Sequence, residues 1–415
     1  MIFAMAAVPI TLLTGMGVDY TLAVDRQVQL NAAADSAVLA AITPTMMAQT
    51  PDVAAAAATN TFNAQASTIG GLSYVPGDLS VNVTTSGAKR VVTLRYAAQS
   101  QNIFAAVLNM NTIHISGGSQ GTGGQAPNID FYLLLDDSPS MAIPSTQSGI
   151  NTMMSNTKQH QDNPSGCAFA CHQSNPSVDN LGNPGGEDNY ALARSLGITL
   201  RIDVLKQAAQ NLMTTAQSTE ATTTASYRTA IYTFDTGFNT IAALTPNLSM
   251  AQTQASNIQL QQVYKNNWLT SSNNNQDSDT NYDNAMSSIN AAMPNPGSGT
   301  SVAGDKPQEV LFFVTDGVED EWVNGARVES VMDPAKCAAI KARGIRIAVL
   351  YTEYLPLPTD GWYQGHVASF QSNIAPSLQA CASPGLYSMV QTGGDIPAAL
   401  ANLFQFAVQS AYLSQ

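Results

Sequence analysis

IDFYLLLDDSPSM, residues 129–141, is a short, mainly apolar run followed at once by two aspartates and two serines. A short apolar run of this kind is typical of a strand that is buried on both faces of a sheet. EVLFFVTDGVEDE, residues 309–321, repeats the arrangement of an apolar run and then an acidic turn. The two stretches therefore predict two buried strands, each with an acidic loop at its carboxyl end.

Strands and helices alternate along the rest of the second half of the chain. Further strands are predicted at 228–234, 241–244 and 345–351, and helices at 201–217, 280–293, 334–343 and 396–413. Such alternation predicts an α/β fold with a doubly wound, mostly parallel sheet and Rossmann-type layering. An N-terminal hydrophobic helix and a small α+β region are predicted to precede it.

Oxygen-bearing side chains follow both buried strands. Asp136, Ser138 and Ser140 occupy alternate positions in the first loop, and Asp316 follows the second strand, where Gly317 permits a sharp turn. In open parallel sheets, ligands bind outside the carboxyl ends of the strands. Ligands that are all oxygens suit a hard cation such as Mg²⁺ or Ca²⁺, with Mn²⁺ as an alternative.

The pattern Asp-x-Ser-x-Ser after a strand resembles the metal-ion-dependent adhesion site of von Willebrand factor A domains. Thr280, before a later helix, resembles the family's threonine element, with Thr270 as the alternative, and Thr315-Asp316-Gly317 resembles its second acidic element. The resemblance implies an A domain over residues 127–415, with an open metal position that a partner's carboxylate fills. The implied metal ligands are Asp136, Ser138, Ser140, Thr280 and Asp316.

Each of these residues also has a purely structural interpretation. Serine and aspartate after a strand often bond their own backbone in a turn. Thr280 fits a helix N-cap, with Asp283 three residues later. The other acidic residues of the two loops are interpreted as solvated charges or as charges that tune the site, namely Asp137, Glu319, Asp320 and Glu321. Asp235 is interpreted as a plain turn residue.

The first 18 residues carry no side-chain charge before Asp19. A membrane-spanning helix needs roughly 20 apolar residues, with a lower limit near 17, so this segment is just long enough. It lacks the basic flank of a signal peptide or an oriented anchor. A membrane anchor is predicted, and a buried helix or an uncleaved signal core is the alternative.

Four parts are predicted along the chain. Residues 1–45 form the anchor and a continuing amphipathic helix, and 46–116 form a small α+β region with a hairpin around Ser86. The uncharged, glycine-rich residues 117–126 are interpreted as a flexible linker. Residues 127–415 form the A domain, with a cysteine-containing insertion at about 142–200.

The N-terminal half resembles the anchor of TadE/TadG-type proteins of the tight-adherence pilus system. The resemblance rests on an apolar helix running into Val18-Asp19-Tyr20 and then into residues 29–37, QLNAAADSA. It implies pilus assembly, with the chain anchored in a bacterial inner membrane and its bulk periplasmic, or at the cell surface or pilus. The glycine and glutamate that prepilin processing requires are not at the expected positions, so cleavage as a pilin is not expected.

Four cysteines suggest disulfides in an exported chain. Cys337 and Cys381 bracket a predicted buried strand, and a disulfide between them is the simplest pairing. Cys167 and Cys171, followed by His172, fit a local disulfide. A zinc site completed by His160, or a c-type haem site at this motif, is the alternative.

The composition separates the function classes. Lys+Arg number 16 against Asp+Glu 29, for a net charge of −13, so nucleic-acid binding is not expected. The prediction is a non-enzymatic, metal-dependent protein-binding module in Tad pilus assembly or adhesion. A metal-dependent hydrolase is the first alternative, although no histidine lies near either acidic loop to act as a base. A redox or cofactor-binding element in the cysteine insertion is the second.

Overall fold

The computed structural model describes residues 2–86, 89–124, 126–157, 166, 168, 189–223, 225–261, 280–324, 326–354, 356 and 361–413. The chain divides into two compact units. The first comprises 1–127 with 298–305 and 412–415, and the second comprises 128–297 with 306–411. Cys167, Cys171, His160 and His172 lie outside the described residues, as does Thr270.

The first unit packs helices against one antiparallel sheet. Its helices are α1 (Ile2–Ala41), α2 (Pro44–Met47) and α3 (Pro51–Ala66). Its strands are β1 (Leu72–Ser73), β2 (Leu79–Ser86), β3 (Lys89–Gln101) and β4 (Thr112–Gly124). Strand β3 pairs with the other three, and Ser86 is in register with Lys89. The predicted hairpin is thus confirmed.

Small side chains bring α1 and α3 close together and onto the sheet. Alanines dominate the contact, and Phe62 of α3 packs against Tyr96 of β3 with ring centroids 5.4 Å apart. Alternate residues of β3 are buried, as expected for a strand with one face on a core. The buried residues of β3 in this core are Val92, Leu94, Tyr96 and Ala98.

The prediction of a flexible linker is wrong, because the glycine-rich stretch forms the second half of β4. Gly117 to Gly124 pair in register with Tyr96 to Lys89 of β3. A Cβ on Gly121 would lie 2.5 Å from Val38 Cγ1, and one on Gly123 would lie 2.8 Å from Ile42 Cβ. The glycines therefore leave room for the end of α1 to cross the strand, a known use of glycine within strands.

Gly121→Ala is expected to destabilise the protein by about 1–3 kcal/mol, the usual cost of overpacking. Val38 is β-branched and lies in a helix, so its side chain has one strongly preferred rotamer and cannot easily move away. Gly70→Ala is the matched control, because nothing lies within 4 Å of the added Cβ. Urea denaturation measures both; equal midpoints would contradict this explanation of the glycines.

Helix α1 runs without interruption for 40 residues and includes Pro9. Its predicted amphipathic half is confirmed as helix. In the part of the chain that the structure describes, no helix is both long enough and apolar enough to span a membrane.

The second unit contains a six-stranded sheet. Its strands are β5 (Ile129–Asp136), β6 (Tyr227–Phe234), β7 (Phe238–Thr245), β8 (Gln308–Thr315), β11 (Arg346–Thr352) and β12 (Tyr387–Val390). They lie in the order β12-β11-β8-β5-β6-β7, and only β7 runs antiparallel to its neighbour within this described sheet. Counted along the chain, the order is 3-2-1-4-5-6, that of dinucleotide-binding α/β sheets. The α/β class with a mostly parallel sheet is confirmed.

A separate hairpin, β9 (Val318–Val323) and β10 (Ala326–Val331), follows β8. This hairpin is not among the predicted elements, although Asn324-Gly325 between two apolar-alternating runs is a strong hairpin signal. Asn324 has the positive φ, 51°, that such turns need. The helices of the unit are α4 (Gln147–Asn156), α5 (Asn189–Ser195), α6 (Arg201–Thr222), α7 (Leu248–Gln254), α8 (Tyr282–Ala292), α9 (Pro334–Lys341), α10 (Gly361–His366), α11 (Gln371–Cys381) and α12 (Ile396–Leu413).

Every residue of β5 and β8 is buried, which confirms the prediction from their apolar runs. Tyr132 and Phe313 belong to a core that also contains residues of α8, α9 and α11. Phe131 and Phe312 pack instead against Phe404 of α12, with ring centroids 4.8 and 6.4 Å apart. Successive strand residues point to opposite faces, so both faces of the central strands carry packed side chains.

The predicted disulfide between Cys337 and Cys381 is present. It joins the first half of α9 to the last residue of α11, and both cysteines are fully buried. The Cα atoms are 5.1 Å apart, an ordinary separation for a disulfide.

A buried carboxyl pair lies at the amino ends of the central strands, opposite the acidic loops. Asp130 of β5 and Glu309 of β8 are in register, and both are almost fully buried. Arg228 binds Asp130 through two hydrogen bonds of 2.7 and 2.5 Å. Burial and the neighbouring Asp130 raise the pKa of Glu309 to about 9. Glu309 is therefore protonated at neutral pH.

This pair predicts a loss of stability at alkaline pH. The pKa of Glu309 is higher in the folded protein than its ordinary value of 4.5, so folding retains a proton that the unfolded chain releases. The contribution of Glu309 to the free energy of unfolding is fully present below about pH 4.5. It is lost as the pH rises towards 9, by about 1 kcal/mol per pH unit. Glu309→Gln should flatten this slope in urea denaturation between pH 6 and 9 (~1 kcal/mol per unit). An unchanged slope would show that Glu309 ionises normally.

Candidate metal centre

The acidic loops lie at the point where the strand order reverses. From β5 the chain continues to β6 on one side, and it later returns to β8 on the other side. The loops after β5 and β8 therefore leave the sheet side by side at its carboxyl edge. Crevices at such switch points are the usual ligand sites of open α/β sheets.

Asp136 ends β5 and is fully buried. Its Oδ1 accepts the backbone N–H of Ser138 at 3.0 Å, and its Oδ2 accepts the hydroxyl of Thr315 at 2.6 Å. Thr315 is in turn 2.6 Å from the hydroxyl of Tyr282 on α8. The carboxylate is thus held in one orientation by elements that are distant in sequence.

Ser138 and Ser140 follow in a turn of 3-10 helix over Pro139–Ala142. Their hydroxyl oxygens are 2.9 Å apart. Ser138 is buried and Ser140 half-buried, so the pair lies at the mouth of the site. The Ser140 hydroxyl is also close enough to Asp316 to lower the pKa of that carboxyl.

Asp316 is fully buried, and its Oδ2 has no hydrogen-bond partner among the described residues. The next residue, Gly317, has a φ of 85°, and a Cβ there would lie 2.3 Å from Ile374 Cγ2. Only glycine fits both this conformation and this contact. The tight turn sends Asp316 toward Ser140 and Asp136.

The two aspartates repel each other. Burial and the nearby Asp316 raise the pKa of Asp136 to about 7, against an ordinary value of 3.8. Burial likewise raises the pKa of Asp316, while Ser140 and Arg201 oppose this. Two like charges are thus held together in a region of low dielectric constant, where their repulsion is strong.

Thr280 occupies the neighbouring loop and is buried. Its backbone pairs with Asp320 of β9 through two hydrogen bonds of 3.1 and 2.9 Å. The predicted N-cap is wrong, because Asn281 caps α8 by accepting the N–H of Asn284. Thr280 is instead fixed by β9, which begins two residues after Asp316.

One basic residue lies beside the site and was missed from the sequence. Arg201, at the start of α6, is 3% exposed and interacts electrostatically with Asp316. Its Nη2 donates to the Glu353 carbonyl at 2.7 Å, and its Nη1 is buried without a hydrogen-bond partner among the described residues. No local sequence pattern marks Arg201, because the residues that its side chain contacts lie more than a hundred positions away along the chain.

Two of the acidic residues interpreted as solvated charges are buried instead. Asp137 is 5% exposed, and its Oδ1 has no hydrogen-bond partner in the described part of the chain. Asp320 is also 5% exposed and pairs with Arg327. Glu319 and Glu321 are half-buried. Asp235 forms the predicted turn, accepting the N–H of Gly237 at 2.5 Å.

The donor set fits a hard divalent cation. It offers two carboxylates and two hydroxyls, all oxygens, as such ions prefer, and one of the carboxylate oxygens, Asp316 Oδ2, has no hydrogen-bond partner among the described residues. No group of three or more His, Cys, Asp or Glu side chains that could hold a metal occurs among the described residues. Here two hydroxyls stand in place of a third carboxylate.

Similar proteins are found among solved structures but not among family models or curated proteins. No family model matches the chain, and no curated protein matches it. Among solved structures, BatB from Bacteroides thetaiotaomicron has a TM-score of 0.35 at 13% identity, over 68% of this chain and 100% of that protein.

Two pilus proteins are also among the matches. The vWF domain of the type V pili tip protein Mfa5 from Porphyromonas gingivalis has a TM-score of 0.37 at 8% identity, over 70% of this chain and 96% of that domain. The PilB minor pilin from Streptococcus sanguinis has a TM-score of 0.37 at 10% identity, over 81% of this chain and 78% of that one.

Proposed function

We propose that the second unit is a doubly wound, von Willebrand factor A-type domain that binds a protein partner through a divalent cation, Mg²⁺ or alternatively Ca²⁺ or Mn²⁺. The proposed ligands are Asp136, Ser138, Ser140, Thr280 and Asp316. We propose a role in binding or assembly, with no catalysis. The strand order 3-2-1-4-5-6 and the two acidic loops at its switch point support the domain type.

One observation carries the proposal. Asp136 and Asp316 are both fully buried, they raise each other's energy when charged, and Asp316 Oδ2 lacks a hydrogen-bond partner among the described residues. An unpaired buried carboxylate is costly, and such groups are normally paired or bound to a metal. A divalent cation balances the charge of two carboxylates.

The chain's own residues explain why the site suits a partner's carboxylate. The serines contribute lone pairs without adding negative charge, so they do not repel an anionic group. Arg201 places a positive charge beside Asp316, which also favours an anion. The cation, when bound, supplies a charge with a position that exchanges water for such a group.

We further propose that the chain acts at the bacterial surface or pilus, held by its N-terminal helix. The sequence resemblance to TadE/TadG-type proteins motivates this. The buried Cys337–Cys381 disulfide agrees with an oxidising compartment such as the periplasm or the cell surface.

The function is tested in cells that produce the full chain with Ser140→Ala. This change removes one neutral ligand and leaves every charge in place. We expect loss of piliation or surface attachment, as with a chelator in wild-type cells, and recovery of wild-type attachment when Mg²⁺ is restored. Ser148→Ala, on the exposed side of α4, is the matched control. Normal piliation and attachment of the Ser140→Ala cells would overturn the proposal.

A further inference from the structure

A second group of oxygens lies next to the first site, on the other side of β5. Asp136 is in register with Phe234 of the parallel strand β6, so Asp137 and Asp235 follow at the same level. The Asp137 N–H donates to the Phe234 carbonyl at 3.1 Å, which holds the two strand ends together. We propose that a second divalent cation, Ca²⁺ in preference to Mg²⁺, binds between Asp137 and Asp235.

Thr233 provides evidence independent of the two acids. It belongs to β6, is 1% exposed, and its hydroxyl has no hydrogen-bond partner among the described residues. Thr233 lies two positions before Asp235, so the two side chains point to the same face of the sheet. Asp137 Oδ1 is likewise buried without a hydrogen-bond partner among the described residues. Two buried oxygens at these strand ends thus lack a hydrogen-bond partner there.

Gln261 adds a fourth oxygen. Its backbone N–H donates to the Asp137 carbonyl at 2.8 Å, and its side-chain Nε2 is 3.4 Å from the hydroxyl of Thr236, next to Asp235. The amide oxygen, Oε1, is buried without a partner in the described structure. Gln261 thus connects the loops that carry the two acids and brings a neutral carbonyl oxygen to them.

The charges at this place favour a cation. Asp137 is 5% exposed, and it lies beside Asp136 and level with Asp235, so three carboxyl groups meet at neighbouring strand ends. A carboxylate in such surroundings is stabilised by a bound positive ion. Asp235 is already oriented by the Gly237 N–H at 2.5 Å. One of the two proposed carboxylate ligands is therefore already held in a fixed orientation.

The ligand types indicate which ion. Ca²⁺ accepts a mixed shell of carboxylates, amide carbonyls and other oxygens in variable geometry, whereas Mg²⁺ demands near-octahedral geometry and keeps several waters. Two carboxylates, one amide oxygen and one hydroxyl correspond to the first description. This site and the proposed adhesion-type site share no ligand residue.

Native mass spectrometry of the full chain with Ca²⁺ tests the inference by counting bound ions. We expect two ions on the wild type, one on Asp235→Asn and one on Asp136→Asn. Asparagine at 235 keeps an oxygen for the Gly237 N–H, so the turn is preserved. Asp25→Asn, an exposed acid on α1, is the control for unspecific binding and should retain two.

The outcomes separate this inference from the proposed function. One ion on the wild type, lost in Asp136→Asn and retained in Asp235→Asn, would overturn the second site and leave the first intact. Two ions on Asp235→Asn would also overturn it. Thr233→Val changes no charge and keeps the shape of the side chain. It should raise the dissociation constant of one Ca²⁺ about tenfold, as measured by calorimetry. Unchanged affinity in a folded Thr233→Val variant would count against Thr233 as a ligand and against the site as described.

Discussion

Asp136→Asn is expected to abolish the rise in melting temperature that Mg²⁺ gives the wild-type protein. A ligand that binds only the folded state at 100 times its Kd stabilises it by about 2.7 kcal/mol. For a domain of this size that corresponds to an increase of about 5–10 °C. Asparagine keeps the shape of Asp136 and its bond to the Ser138 N–H but removes the charge that the cation needs.

The same substitution should raise the melting temperature when Mg²⁺ is absent. Asp136 and Asp316 are both buried and repel each other, and removing one charge ends that repulsion. A single substitution is therefore expected to stabilise the metal-free protein and to eliminate stabilisation by metal. A residue with a purely structural role would not produce these opposite effects.

Differential scanning fluorimetry with and without Mg²⁺ measures both effects. Asp25→Asn removes the same charge from an exposed position and should behave as the wild type. An undiminished Mg²⁺ response in Asp136→Asn would show that the cation binds elsewhere. A lower melting temperature without metal would show that Asp136 stabilises the fold by other means.

Replacing both Cys337 and Cys381 by alanine is the other change with a large expected effect. The disulfide closes a loop with a sequence separation of 44 residues. In the chain-entropy model its loss costs about 4 kcal/mol. The expected fall in melting temperature is about 8–16 °C.

The physical reason lies in α9 and α11, which the bond joins beside β11. Without it, the unfolded chain gains freedom while the buried contacts of Ile340, Ile374 and Leu378 remain. Reductant should destabilise the wild type and leave the double variant nearly unchanged. A double variant as stable as the wild type would indicate that the bond adds no constraint to the fold.

The central strands were predictable because their signal is local. Each residue of β5 and β8 is buried, so an apolar run is enough to identify them. The ends of these runs also placed Asp136 and Asp316, since carboxyl ends of parallel strands meet at one edge. The hairpin of β9 and β10 had an equally local signal, Asn324-Gly325, which was overlooked.

The errors concern features that depend on distant parts of the chain. The glycines of β4 have the composition of a linker, and only their contact with Val38 and Ile42 of α1 explains them. Asp19, at the end of the apolar segment, is buried and accepts three backbone N–H groups from Ile103 to Ala105. No local pattern predicts a contact between residues more than eighty positions apart.

The candidate metal centre likewise combines residues that a local motif marks with features that depend on distant parts of the chain. Its aspartates and serines were found from two short motifs, whereas the burial of Asp137 and the position of Arg201 were not. Arg201 reaches the Glu353 carbonyl, 152 positions along the chain, through the assembled sheet. Local motifs therefore identify the aspartates and serines that meet at this edge of the sheet better than they identify the charges around them.

A crystal of the protein soaked in Mn²⁺ tests the central claim most directly, because manganese is located by its anomalous scattering. We expect an anomalous peak from a Mn²⁺ ion bound by the carboxylates of Asp136 and Asp316, with the hydroxyls of Ser138 and Ser140 beside it. A well-ordered map without a peak between these two aspartates, at a Mn²⁺ concentration that raises the melting temperature, would contradict the proposed site.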